Sequence, residues 1–274
     1  MSHDLFGMQT NVHPSIRPAT WASWLAVGST IVIWLVLVGP LITLVLKVSP
    51  SEIVTALRQP GALSPLGVSV GSALIALLIL VLLGTPLAYT LARSPRRGVR
   101  WLEAGMLLML LMPPLVIGLL LVFMLGPLTP LGGLLAQVHL SATNTFFALI
   151  VAEVYEAAPY YVLGAQSTFV GLDQGMLDQA SLLGDTPRQR FFRISLPLSL
   201  PQLTSSLAIA WARAIGAFGA VIIIAYHPYG LPMQVWTTLN EVGLQRALPY
   251  ALVLLVVSLP FPLLAFFWSR RARR

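Results

Sequence analysis

Three ionisable residues stand inside long apolar stretches: Glu153 and Glu156 within 144–170, and Arg213 within 202–226. A charge at the centre of a membrane-spanning helix costs about 2.5–3.5 kcal/mol, so such a group normally faces a bundle interior or water. At a helical rise of about 1.5 Å per residue, Glu156 falls roughly 16 Å and Arg213 roughly 20 Å from the outer edge. Two roles are open for them. Glu156 and Arg213 could form a buried ion pair that only fixes helix packing, or Arg213 could set the potential of a path through the bundle.

Other residue types narrow the chemistry. The chain has no cysteine, which excludes disulfides and thiolate metal sites. His3, His13, His139 and His227 lack metal-ligand spacing to one another, and no HExxH or aspartate pair occurs, so an intramembrane enzyme is a remote reading. A phosphate-binding loop needs GxxxxGK[ST]. The one lysine, Lys47, lies in Val45-Leu46-Lys47-Val48, so no nucleotide or other cofactor is expected on this chain. Pro113-Pro114 interrupts the backbone ladder and frees carbonyls, either to kink a helix or to relieve packing. Gly67-x3-Gly71 is a small-xxx-small pair that suggests close helix contact.

The elements that must position these residues follow from composition. Of 274 residues, 57% are hydrophobic and 9% charged, against about 25% charged in soluble domains. Too few charges remain to clothe a soluble globule. An all-α, polytopic membrane protein is expected, with six spans near 22–46, 66–92, 101–126, 144–170, 202–226 and 248–268. The reading divides the chain into a tail (1–20), a first span with its outer loop (21–65), a core of five spans (66–268) and a basic tail (269–274). Asp4 and a lone Arg17 before a long apolar run do not make a secretory signal.

Placing the N-terminus inside puts Arg17, Arg93, Arg96, Arg97, Arg100, Arg188, Arg190, Arg193, Arg270, Arg271, Arg273 and Arg274 on the inner side. Only Lys47, Arg58 and Arg246 fall outside. This asymmetry predicts two cytoplasmic termini. The net charge of +7 therefore reports topology, and no nucleic-acid partner is expected.

Residues 172–197 are too polar to span. Met176, Leu177, Ala180 and Leu183 share one face of a short helix, and Gly184 sits where a helix C-terminal glycine belongs. Thr186, Pro187 and Gln189 read as the N-cap, first position and capping-box partner of a second helix. Taken alone, this pair could simply lie on the membrane surface.

The same loop carries a family resemblance. Asp178-Gln179-Ala180, Gly184 and Ile194-Ser195-Leu196-Pro197 resemble the EAA motif of ABC-importer permeases, written EAA-x3-G-x9-I-x-LP. Asp178 replaces the usual Glu, and Gln179 replaces Ala. Leu83-Gly84-Thr85-Pro86-Leu87-Ala88-Tyr89 with Ala92-Arg93 resembles the end of the second span in that superfamily. Met112-Pro113-Pro114-Leu115-Val116-Ile117-Gly118, with Gly126-Pro127 and Pro130-Leu131-Gly132, is similar to a stretch of molybdate, tungstate and sulfate permeases. So is Ala212-Arg213-Ala214-Ile215-Gly216-Ala217-Phe218-Gly219-Ala220, where Ala217 replaces a usual Glu. Ala225-Tyr226-His227-Pro228 most resembles the molybdate/tungstate branch.

The resemblance implies a type I importer fold and a permease subunit that is not itself an enzyme. It implies a multi-pass protein of a prokaryotic inner membrane, in the lipid bilayer. Its partners would be a cytoplasmic ATPase dimer that uses ATP and Mg, an extracytoplasmic binding protein, and a second permease copy. Asp178, Gln179, Ala180, Gly184, Ile194, Leu196 and Pro197 would couple to the ATPase. The helix would lay its apolar face in a groove, with Asp178 near its start favouring the dipole and Leu196-Pro197 ending the second helix. Arg213, Glu153, Glu156, Pro113, Pro114, Gly118, Phe218 and Gly219 would line the path, and His227-Pro228 would lie at the outer gate or the loop meeting the binding protein. The expected cargo is a tetrahedral oxyanion, molybdate or tungstate first. Sulfate or thiosulfate stands next, then ferric iron or polyamine, and a passive channel or assembly factor remains a different class.

Overall fold

Helix is the regular structure throughout the described residues, as a bilayer requires of a chain that must satisfy its backbone internally. The computed structural model describes residues 20–271, with side chains from Trp24 onward. His3, His13, Arg17, Arg273 and Arg274 lie outside the described residues. In chain order the helices are α1 (Thr20–Lys47), α2 (Pro50–Leu57), α3 (Ser64–Ile79), α4 (Thr85–Arg93), α5 (Arg97–Leu111), α6 (Pro114–Leu125), α7 (Pro130–Gln137) and α8 (Phe146–Val170). They continue with α9 (Gln174–Leu182), α10 (Pro187–Arg190), α11 (Leu196–Ile215), α12 (Val221–Ile224), α13 (Leu231–Glu241), α14 (Leu244–Ser258) and α15 (Pro260–Arg271).

Two compact units result, Met1–Lys47 and Val48–Arg274. The first is described by α1, a helix long and apolar enough to cross a membrane by itself. In the second unit, α8 is the spine, packed against α3, α4, α5, α6, α11 and α12. Small residues face inward along the stretch Ser64–Arg93: Ser69, Ser72, Ala73, Ala76, Gly84 and Ala88 are buried, while Leu74, Leu78, Leu82 and Leu83 are exposed. Without a hydrophobic drive between helices in lipid, close backbone approach supplies the packing. That approach does not occur at Gly67, whose absent Cβ would meet no atom within 4 Å. The inward stripe runs instead through Ser69, Ser72 and Ala76, a face offset from Gly67.

Among the described residues, four helical stretches have the length and apolarity of a membrane span: Trp24–Lys47, Ser64–Arg93, Phe146–Val170 and Leu244–Arg271. The remaining two expected spans are interrupted. Each proline of Pro113-Pro114 forces the residue before it out of the α region, so Met112 (ψ 133°) and Pro113 (ψ 134°) are extended. Of the two roles open to this pair, a kink or packing relief, the first holds: the chain bends by 119° between α5 and α6. The expected span 202–226 is also cut. α11 ends at Ile215, non-helical backbone runs through Gly216–Ala220, and only the single turn α12 follows.

Two other prolines act differently. Pro86 and Pro197 each follow a π turn, Leu80–Gly84 and Phe191–Ser195 respectively, and sit at the second position of the next helix. A wide turn accommodates a ring that lacks an N–H donor. Leu196-Pro197 therefore does not end the second loop helix. The chain from Pro187 to Ile215 is one helical run with a π turn inside it.

Candidate functional site

The loop between α8 and α11 forms the paired helices its residues specify. Asp173 caps α9, its carboxylate accepting from the Gly175 amide at 2.8 Å. Asp178 lies in the second turn, so Asp173 holds the place at the helix dipole that the sequence reading gave to Asp178. At the other end, the Gly184 amide donates to the Ser181 carbonyl (3.1 Å) and the Asp185 amide to the Ala180 carbonyl (3.0 Å), a Schellman closure. Gly184 has φ +94°, a left-handed conformation that side chains resist. Thr186 and Gln189 complete a reciprocal capping box on α10. Arg193 pairs with Asp185 at 3.6 Å, exposed and therefore weak.

The apolar face of α9 divides in two. Leu177 and Ala180 are buried within the chain, whereas Leu182 and Leu183 are 88% and 89% exposed and Met176 is also exposed. Asp178 and Gln179 face solvent beside them. Ile194 and Leu196 are half-buried at the π turn, and Pro197 is exposed. One part of the helix thus seats it, and the other part projects.

The second cluster lies where the two interrupted helices meet. A Cβ at Gly219 would stand 2.5 Å from the Cβ of Pro114, and one at Gly118 would stand 2.8 Å from the Ala220 carbonyl oxygen. Backbone touches backbone there, which only glycine permits. The Ala220 amide, freed by the break in α11, donates to Glu156 Oε1 at 3.1 Å in a buried bond. A buried N–H away from water needs such a partner. Glu153, one turn earlier on α8, accepts from Ser72 Oγ at 2.8 Å.

The Glu156–Arg213 ion pair does not form. Arg213 stands over the ring of Tyr160, 4.8 Å from its centroid, and makes no ion pair among the described residues. Phe218 packs on Trp236, ring centroids 5.4 Å apart. Of the eight candidate path residues, Pro113, Pro114, Gly118, Gly219 and Glu156 meet at the double break, with Phe218 adjoining. Glu153 ties α8 to α3, and Arg213 lies beside α8.

A polar cleft of about 790 Å³ opens between α2, α13 and α14, with Glu52, Glu241, Arg246 and Tyr250 in its walls. None of the sequence-derived candidates lines it. It lies near the Ser64 end of Ser64–Arg93: Ser69 Oγ accepts from the Leu231 amide at 2.7 Å, which ties α13 there. Ser72, Tyr160 and Trp236 had no motif to mark them; only the N-cap Asp173 could have been found, by its place before α9.

Residues 81–274 match the model of the binding-protein-dependent transport system inner membrane component. The chain belongs to that family. It is a multi-pass membrane permease by that membership and by its apolar helices. A probable molybdenum ABC transporter permease protein of Haloferax volcanii is 33% identical over 245 residues, 89% of this chain and 88% of its relative. The molybdate/tungstate transport system permease protein WtpB of Pyrococcus abyssi is 29% identical over 245 residues, 89% and 93% of the two chains. Among solved structures, a bacterial alginate ABC transporter in complex with its alginate pentasaccharide-bound periplasmic protein aligns with TM-score 0.73 at 19% identity. That alignment covers 92% of the permease and 94% of the alginate-transporter chain. At that identity the likeness establishes the fold.

Proposed function

We propose that two copies of this permease enclose a path for a tetrahedral oxyanion, molybdate or tungstate first, across a prokaryotic inner membrane. Both termini face the cytoplasm, where a separate ATPase hydrolyses ATP with Mg and docks on α9. An extracytoplasmic binding protein delivers the anion. Relatives named for molybdenum and for molybdate/tungstate support the cargo. The observation that carries an anionic cargo is Arg213, a basic group within the membrane that makes no ion pair with a carboxylate among the described residues. A transported ion must not bind tightly along its way, and a single half-buried guanidinium fits that demand.

The mechanism assigns work to each cluster. Met176, Leu182 and Leu183 enter the ATPase groove, while Leu177 and Ala180 are buried within the chain. Movement of α9 then reaches α11 through the helical run Pro187–Ile215. The double break at Pro113-Pro114 and Gly216–Ala220 is where that movement opens or closes the path.

The test is uptake of labelled molybdate by the permease reconstituted with its ATPase and binding protein, with tungstate, sulfate and thiosulfate as competitors. Tungstate should compete and sulfate should not; competition by sulfate at equal concentration would move the protein to the sulfate branch. Arg213→Gln should abolish uptake while the ATPase still co-purifies. Unchanged uptake would remove Arg213 from the path.

A further inference from the structure

The mechanism above does not use one group at the inner end of the bundle. Arg93 is the last residue of α4, and its guanidinium leaves that helix to meet two others. Nη2 donates to the Phe169 carbonyl at 2.9 Å, and Nη1 donates to Gln174 Oε1. Phe169 belongs to the last turn of α8, and its carbonyl also accepts from the Leu172 amide at 3.3 Å as that helix closes. A cation there both caps the helix and complements its dipole. Gln174 is the first residue of α9, and its amide nitrogen donates to Asp178 Oδ1 at 3.1 Å. Arg93, Gln174 and Asp178 thus form a continuous polar relay from the end of a membrane helix to the acidic position of the loop motif.

Beside Arg93 lies a cluster of aromatic rings. Tyr89 of α4, Phe169 of α8 and Phe191 of the π turn before α11 pack edge to face or tilted, with centroids 5.3 Å (Tyr89–Phe169), 4.9 Å (Tyr89–Phe191) and 6.2 Å (Phe169–Phe191) apart. Three membrane helices therefore end in one aromatic block. α9 meets this block through Arg93 at its N-terminus, and through Arg190, whose Nη1 reaches the Leu177 carbonyl at 3.5 Å. A planar guanidinium with several donors can hold two acceptors in fixed directions, which a lysine ammonium on a flexible stem does less well.

We infer that Arg93 is a positioning residue for coupling: it sets the angle of α9 on the bundle, so that displacement of α9 moves α4 and α8 together. The inference rests on reading α9 as the ATPase-docking helix. Loss of the relay leaves Leu182 and Leu183 projecting, so the ATPase still docks, but its stroke is no longer passed on in full.

The experiment uses the complete transporter in proteoliposomes and reads labelled molybdate imported per ATP hydrolysed. Arg93→Gln should lower that ratio roughly tenfold, a coupling change of ordinary size, with the ATPase still co-purifying. Arg93→Lys, which can satisfy one acceptor, should recover part of it. Gln174→Ala cuts only the arm to α9, leaves the α8 cap in place and should lower the ratio in the same direction; it also serves if Arg93→Gln fails to assemble. A wild-type ratio in Arg93→Gln or in Gln174→Ala overturns the inference. Failure of the unaltered permease to capture an ATPase at all would instead refute the docking reading of α9.

Discussion

The α9–α10 loop and the double break are built on opposite principles. In the loop, each conformational decision is made by residues within a few positions of one another. Asp173 caps Gly175, Thr186 caps Gln189, and Gly184 takes the left-handed turn its neighbours require. At the break, every decisive contact is long-range: Glu156 to Ala220, Pro114 to Gly219, Gly118 to Ala220. The loop projects residues and should tolerate change in what it shows. The break leaves no room for a Cβ at Gly118 or Gly219 and should tolerate almost none there.

That contrast can be broken by mutation, beginning at the break. Gly219→Val drives a side chain onto Pro114 and the Leu115 amide, so it should cost about 3 kcal/mol through overpacking. Thermal unfolding of the purified permease in detergent measures it, with Gly67→Val, where nothing stands within 4 Å, as the neutral comparison. Equal losses from the two variants would show that the break is not specially tight. Next, Glu156→Ala strands the buried Ala220 amide and should cost about 2 kcal/mol. Glu156→Gln keeps an acceptor and should recover most of the loss; if both variants lose equally, charge rather than the hydrogen bond matters at Glu156.

In the loop the effects should be smaller and of another kind. Gly184→Ala places a Cβ in open space but at φ +94°, a cost of about 1 kcal/mol confined to the backbone. Its mark should be weaker ATPase co-purification, with the bundle's unfolding temperature little changed. Leu183→Ser should alter stability by less than about 0.5 kcal/mol, as surface changes do, yet also reduce ATPase capture. A drop in unfolding temperature with capture intact would mean that Leu183 serves the fold and not a partner.

The two regions also differ in how far their residues could be read in advance. The loop helices, the Gly184 turn and the capping box are present as the spacing of Thr186, Pro187 and Gln189 predicts. What the spacing could not show is that Leu177 and Ala180 turn inward while Leu182 and Leu183 turn out. Nor did the pattern around Leu196-Pro197 reveal the π turn that carries the helix through. Pro113-Pro114 marked an interruption, but the 119° turn depends on what α6 packs against. Glu156 and Arg213 stood at compatible depths, and depth alone suggested a pair.

The amino-acid sequence by itself determined the membrane setting, the helical class and the loop, because these follow from composition, local spacing and backbone sterics. Only the tertiary structure decided what the buried polar groups do. A carboxylate within the bundle takes whichever donor the folded backbone leaves unpaired. Here that donor was the Ala220 amide, freed when α11 stopped at Ile215. Arg213 makes no ion pair among the described residues and stands over an aromatic ring.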